Sequence, residues 1–419
     1  MAEMVKYISL SSGDLLPFSI VADDIYVDTD YDIEEVIKLI NNSITAPRFR
    51  IFVLNQDETI AYEIPSEDIQ MGGSYSENYQ DGQRRSLSFN LFNFDGKYTT
   101  NINKLWLGTR LRLDLGIETQ DGTTVWFIKG IYVIKQATPR YSAGEYVVAI
   151  SAADKFSLFE DKTGILDSTY TIPIGTVIED VIRDILLHDT GSGDPWDPQP
   201  IIYHSSFKGK TVQATISKNA GDTFGSILLE LATQLSAEIF YNANGNLTLI
   251  PTNETSLDED KPLIYSFESV KGDTSGLSFT FDMTNIINMI VVVGSSVHGA
   301  VCRATAVNDN AGSPLCVQRM GRRMGSIIND PNITTDLLAR ERADYELRKQ
   351  LILRSSTTVN VMYNPILNVN NLIAISDEFF ELDHEKFLLQ GVSCSLDYSG
   401  QMSITVSNIV NLPFITRQI

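Results

Sequence analysis

Residues 104–151 return, shortened, at 365–407, and a chain built from two copies of one β-meander has few folds open to it. Setting Gly130 on Gly391 places Leu111 on Leu372, Trp126 on Phe387, Ile128 on Leu389, Ile131 on Val392 and Val133 on Cys394. A five-residue deletion at the following turn then aligns Tyr146 with Met402, Val148 with Ile404 and Ile150 with Val406. Each copy alternates apolar and polar residues, breaks at a glycine and turns through Ser-Ala-Gly or Ser-Gly. Half-buried antiparallel strands read this way, since successive side chains point to opposite faces.

A chain of 419 residues can bury several cores, which predicts two to four domains. With 32 basic against 53 acidic residues the net charge is −21, the wrong sign for a broad phosphate-gripping surface. An acidic surface does suit a passage that DNA must cross without sticking. Cys302, Cys316 and Cys394 are odd in number and lack CxxC spacing, which argues against a disulfide framework or a zinc ribbon. Cys394 falls on an apolar strand position. No basic stretch leads into an apolar run at the N-terminus, so a soluble protein of a reducing compartment is expected. The apolar run at Met289–Val293 is too short to span a bilayer.

Residues 1–47 read as an N-terminal arm. Ile33, Val36, Ile37 and Ile40 form one helical face there, with Asp32, Glu34 and Glu35 crowding the first turn. The DTDYD run resembles a calcium loop, but Ile33 and Leu39 occupy its required Gly and Glu positions, which rejects it. Residues 48–155 carry six strand patterns, RFRIFVLN, TIAYEIP, RSLSFNLFN, TRLRLDLG, VWFIKGIYVI and YVVAIS. Asp95-Gly96 and Asp121-Gly122 are hairpin signals, and a small barrel is the simplest closure. Residues 156–255 predict an α+β insert. One helix opens with a Thr176/Glu179 capping box, buries Ile178, Val181, Ile182, Ile185 and Leu186, and ends at Gly191. A second buries Phe224, Ile227, Leu228, Leu231 and Leu235, and a hairpin follows it. Residues 256–419 return to strands as a second barrel, interrupted by a helix near 335–353 with a stripe of Ala339, Ala343, Leu347 and Leu351. The expected fold is mainly β and mostly antiparallel: two related small barrels enclosing an α+β domain.

Catalytic motifs are missing where their chemistry would require them. Gly209-Lys210-Thr211 ends like a phosphate loop, but the Gly needed five residues earlier is His204. GDTFG and GDTSG do not place a serine at a nucleophile elbow. His384-Glu385 has no second His at the helical interval, and His188, His204, His298 and His384 are scattered over the chain. The many carboxylates single out no pair. Arg319, Arg322 and Arg323 form the basic concentration, read as a solvated loop or internal pairing. Trp106 and Trp126 fall on strand positions and read as core. Trp196, in a Pro-rich loop, and Tyr75 and Tyr79, in what reads as the MGGSYSENY loop, are the candidate exposed aromatics. No catalytic, cofactor-binding or metal-ligating residue is assigned.

Several stretches together resemble the hub proteins of bacteriophage tails and related injection devices, including the N-terminal part of tail-associated lysins. They are RSLSFNLFNFDGKYTTNINKLWLGTRLRLDLG running into VWFIKGIYVI, YVVAISAADKFSLFEDKTG with its Asp154-Lys155, YTIPIGTVIEDVIRDIL, AGDTFGSILLELATQLSAEIFYNANGNLTLIP, and ARERADYELRK ahead of VNNLIAISD. The likeness spans about 48–410 and brings no catalytic residue with it. It implies a non-enzymatic homotrimer of the virion tail tip or baseplate, assembled in the bacterial cytoplasm, whose six barrels join a six-fold tube to a three-fold tip. Implied partners are a tail tube or distal tail protein, a spike or tip protein, the tape-measure protein, and DNA in transit. No cofactor and no membrane span are implied. Two other readings stay open: a receptor- or carbohydrate-binding tip protein, which needs exposed aromatics, and a carboxylate-dependent cell-wall hydrolase.

Overall fold

A computed structural model describes residues 19–22, 46–99, 105–118, 122, 124–142, 144–188, 195–251, 263–278, 286–297, 300–330, 333–354, 356–398, 401–408 and 415–417. The helix expected at 33–40 and the stop at Gly191 lie outside them. Strand β1 (Ser19–Ala22) is followed by the first β unit: β2 (Ala46–Leu54), β3 (Ile60–Ile64), β4 (Ile69–Asn78), β5 (Arg85–Phe92), β6 (Arg110–Glu118), β7 (Thr124–Ser142) and β8 (Glu145–Asp154). The insert holds α1 (Ser157–Glu160), β9 (Tyr170–Ile172), α2 (Ile178–Leu186), β10 (Ile201–His204), β11 (Ile216–Lys218), α3 (Phe224–Gln234), β12 (Ala237–Tyr241) and β13 (Leu247–Pro251). Then come β14 (Leu263–Glu268), β15 (Thr274–Ser278), β16 (Met289–Val297), β17 (Ala300–Val307), α4 (Val317–Met320), β18 (Ile328–Asn329) and α5 (Asp336–Arg354). The chain finishes with β19 (Ser356–Met362), β20 (Leu372–Asp377), β21 (Leu382–Leu396), β22 (Gln401–Asn408) and β23 (Ile415–Arg417).

The two β units share one sheet and one strand order. The first runs β4-β5-β8-β7-β6-β2, the second β15-β19-β22-β21-β20-β14. Register makes the repeat quantitative. Leu111 pairs with Tyr132 as Ile373 pairs with Phe387, and Ile134 pairs with Ala152 as Leu389 pairs with Val406. A bulge interrupts the ladder just after Ile134 and again just after Leu389. The residue equivalent to Gly391 is therefore Gln136, not Gly130, whose own bulge faces β6. The sequence alignment is out by one residue along β6, where Ile373 and not Leu372 answers Leu111, and by six along β7, where Phe387 answers Tyr132 and not Trp126. Phe387, Leu389, Val392 and Cys394 point into the main core, as do Phe127, Tyr132 and Ile134. Ile131, which the alignment set on Val392, packs instead with Phe52 and Leu54. Each six-residue shift crosses a bulge, at Lys129 or at Lys135, and the extra residue there exchanges the inward and outward positions.

Three features differ from the sequence expectation. Among the described residues no closed barrel forms: β4 pairs with β21 of the other unit over Gly73–Asn78, so the two units merge around one core. β4 is the stretch read as a loop, because Gly72 and Gly73 mask its alternation. Second, the INMIVVVGS and AVCRATAVN stretches leave the second meander. As β16 and β17 they form a separate sheet with β18 and β23, and α5 packs there through buried Ala339, Ala343, Leu347 and Leu351. Third, β1 lies parallel to β10 and so belongs to the sheet of the insert, not to a detached arm.

Turn and cap details also shift. Gly122 sits at φ 83° between the paired ends of β6 and β7, whereas Gly96 turns the chain after β5 without joining neighbouring strands. The Thr176/Glu179 capping box does not form. α2 begins at Ile178, the Thr176 hydroxyl donates to the Pro173 carbonyl, and Glu179 accepts from the Tyr203 hydroxyl at 3.2 Å.

Candidate functional site: a hydroxyl-lined sheet face and a buried polar seam

Opposite residues of antiparallel strands present their side chains on the same side, so register defines rows across the sheet. On the face away from the core, one row runs Ser395, Ser74, Ser88, Ser151, Gln136 from β21 to β7. The next runs Asn360, Ser403, Ser393, Ser76, Ser86 from β19 to β5. Asn90 and Thr138 flank Ala149 in a third row, and Thr358 faces Thr405 in the second unit. Neighbouring hydroxyls bond each other: Ser74 to Ser88 at 2.8 Å and Ser76 to Ser86 at 2.7 Å. Along these rows no side chain is charged. Arg140 and Glu145 stand beyond them, toward the tip of the β7–β8 hairpin. The acidic excess of the chain is carried elsewhere.

Charge is instead concentrated behind the sheet, where the units meet. Lys155, fully buried, holds Glu58 at 2.5 Å and Asp197 at 2.8 Å, and Tyr241 donates to Asp197 at 2.7 Å. Arg110 adds an ion pair to Glu58 at 3.2 Å and donates to the Trp196 carbonyl at 2.7 Å. Glu238 of the insert collects Arg84 at 2.7 Å, Tyr79 at 2.8 Å and Asn370 of the second unit at 3.1 Å, with the Arg84 guanidinium 3.5 Å from the Phe240 ring centre. Lys129 donates to the Leu367 carbonyl and the Asn368 side chain, and Lys349 of α5 reaches Asp81 at 2.8 Å. A buried charge is tolerated only when partnered, so these contacts make the relative placement of the units specific.

The seam shifts its titrations in the direction burial dictates. Desolvation raises the Glu58 carboxyl, with Lys155 pulling it back. Burial pushes Asp154 up to about 6, against hydrogen bonds from the Arg85, Arg84 and Phe156 amides. Burial and then Glu238 raise Tyr79, and burial and then Asp197 raise Tyr241.

The aromatics expected to be exposed are not. Trp196 packs against Phe159, Phe224 and His188, while Tyr75 and Tyr79 are buried along β4 and its end. Trp106, expected in the core, is 43% exposed, and Trp126 is half-buried beneath Arg50. Cys394 is core, its thiol pushed up to about 12 by burial. Arg319 and Arg322 are exposed on and after α4, and the Arg323 amide bonds Asn288. His188 and His384 are exposed and His204 is half-buried; His298 lies outside the described residues. Among the described residues no group of three His, Cys, Asp or Glu could hold a metal, and no helix is long and apolar enough to cross a membrane. Both the face and the seam escaped sequence reasoning. Serines on alternate positions look like ordinary solvent-facing strand residues until register lines them up.

The fold is similar to that of solved phage tail proteins. It matches a 43 kDa tail protein of prophage MuSo2 from Shewanella oneidensis, with TM-score 0.59 and 17% identity over 88% of this chain and 100% of that one. A tail protein from Neisseria meningitidis MC58 gives 0.59 and 11% over 86% and 96%. A chain of the Francisella PdpA-VgrG complex in its half-lidded form gives 0.50 and 10% over 90% and 61%. No family model and no curated protein matches the sequence.

Proposed function

We propose that this chain is a structural hub of a phage tail tip or baseplate, or of a phage-derived injection device. Residues 48–155 and 256–419 supply two similar tube-docking units and residues 156–255 form the insert between them, its sheet extended by β1 from the 1–47 segment. Three chains present six similar units, joining a six-fold tail tube to a three-fold tip and enclosing a channel for DNA. Its partners are a tail tube or distal tail protein on one side, a spike or tip protein on the other, and the tape-measure protein. DNA is present only in transit. The protein acts in the virion after assembly in the host cytoplasm, without catalysis.

One observation carries the reading: the same ladder, with the same strand order and the same bulge, occurs twice in one chain. A symmetry adapter requires that repetition, because heterologous contacts close a ring only when equivalent surfaces recur. Trp196, Tyr75 and Tyr79, the aromatics on which a receptor-binding reading would rest, are buried, and the exposed aromatics instead include Trp106, Phe94, Tyr141, Tyr146, Phe379 and Tyr398. Light scattering on the purified chain tests the proposal. A mass three times the 46.6 kDa chain is expected, and a monomer or a stable dimer overturns it.

A further inference from the structure

We infer that the acidic, phenylalanine-tipped β20–β21 hairpin of one chain seats on an arginine–methionine loop of a second copy; this rests on the hub reading and names the surfaces that join its three chains. The hairpin turn holds Phe379, 88% exposed, standing edge-on to Phe380 with 5.1 Å between ring centres. Glu378, Glu381, Asp383 and Glu385 surround it and are exposed. A bare ring among carboxylates fits a partner that offers cations beside a soft apolar surface. The chain carries such a surface on a different sheet. α4 and the loop leading to β18 expose Arg319, Arg322, Met324 and Ile327, the last two at 46% and 47%. A guanidinium pairs with carboxylates and lies over a ring, and a thioether packs against one. The loop holds its shape before any contact is made. Asn288, fully buried, accepts from the Arg323 amide at 2.8 Å and donates to the Gly321 carbonyl at 2.8 Å and the Leu315 carbonyl at 3.2 Å. The Asn288 and Met289 amides in turn donate to the Arg323 carbonyl. Preorganisation of this kind lowers the entropy cost of association.

Net charge names the occupant as a second copy. Two chains at −21 repel each other, so a contact between them needs opposite charges set face to face. In a chain with 32 basic and 53 acidic residues, Arg319, Arg322 and Arg323 gather against the overall sign. Hairpin and loop are different surfaces, so the contact is heterologous: each copy gives its hairpin to one neighbour and its loop to the other, and three copies close a ring. The test uses the full-length chain carrying F379C and M324C together. Cys302, Cys316 and Cys394 are buried, so oxidation reports on the introduced pair. Non-reducing gels should show covalent trimers for the pair and for neither single variant. R319E/R322E and E378R/E381R should each raise the concentration at which light scattering loses the trimer by about tenfold or more, and the combined swap should recover most of that loss. These side chains are exposed, and circular dichroism should show every variant folded. Wild-type trimers whose cysteine pair stays unlinked, reversals that leave the trimer unchanged, or a combined swap no better than either half would each overturn this inference while leaving the hub reading intact. A wild-type chain that forms no trimer overturns both.

Discussion

Lys155→Met removes the cation on which the junction between the first β unit and the insert converges. Lys155 is fully buried and faces two carboxylates that are nearly so, Glu58 at 2.5 Å and Asp197 at 2.8 Å. Methionine fills most of the volume, so the cost is that of leaving two buried anions short of a partner, about 3–5 kcal/mol for a broken buried pair. The lower end applies, because Arg110 still faces Glu58 and the Tyr241 hydroxyl still donates to Asp197. About 3 kcal/mol corresponds to a fall of roughly 6–12 °C in Tm for a unit of this size. The loss should also depend on pH with a definite sign. Burial already raises the Glu58 carboxyl, and Lys155 restrains that shift. Without Lys155 it rises further. A carboxyl whose folded pKa exceeds its unfolded one stabilises the fold below the unfolded pKa, and that stability is lost as pH climbs through the folded pKa. The deficit of Lys155→Met should therefore be larger at pH 7.5 than at pH 5, and Lys155→Met/Glu58→Gln should recover part of it. Urea denaturation of the three variants and the wild type at both pH values measures this. A deficit below 1 kcal/mol, or one equal at the two pH values, would refute the reasoning.

Asp154 offers a second pH signature, since burial lifts it to about 6 from an ordinary 3.8. Wild-type stability should decline between pH 4 and pH 6 by up to about 3 kcal/mol from this group, and D154N should flatten that slope in urea titrations. Trp196→Ala should cost about 3–5 kcal/mol by opening the aromatic core of the insert, while Trp106→Ala, at an exposed turn, should stay within about 0.5 kcal/mol. Differential scanning calorimetry separates the two.

Helices were legible because their signal survives locally. Ile178, Val181, Ile182, Ile185 and Leu186 are all buried on α2, as are Phe224, Ile227, Leu228 and Leu231 on α3. The stripe on α5 buries Ala339, Ala343, Leu347 and Leu351. The six strand patterns of the first unit all became strands. Parity within the repeat was not legible, and the reason is physical. Along β7, Ile131 and Val133 are buried on one face, and Tyr132 and Ile134 on the other. A strand covered on both sides loses the alternation that would fix its register. β4 was hidden by its glycines, and the pairing of β1 with β10 spans about 180 residues, beyond any local pattern. The seam was illegible for a similar reason. Glu58, Arg110, Lys155 and Asp197 look like ordinary surface charges, and only long-range packing brings them together.

The two repeats agree where the ladder must match and diverge where the chain attaches something else. β2 lies antiparallel to β6, whereas its positional counterpart β14 lies parallel to β20. Between β15 and β19 the second unit also admits β16, β17, β18 and α5, which have no equivalent in the first. The Lys155 cluster likewise has no second copy, because it ties the first unit to its insert. The conserved part of the repeat is thus the four-stranded ladder that carries the hydroxyl face, and the variable part is its outer edge and its attachments. The chain thus carries two similar ladders joined to two different sets of attachments, so whatever meets the ladders meets nearly the same surface twice, while whatever meets the edges meets two different ones.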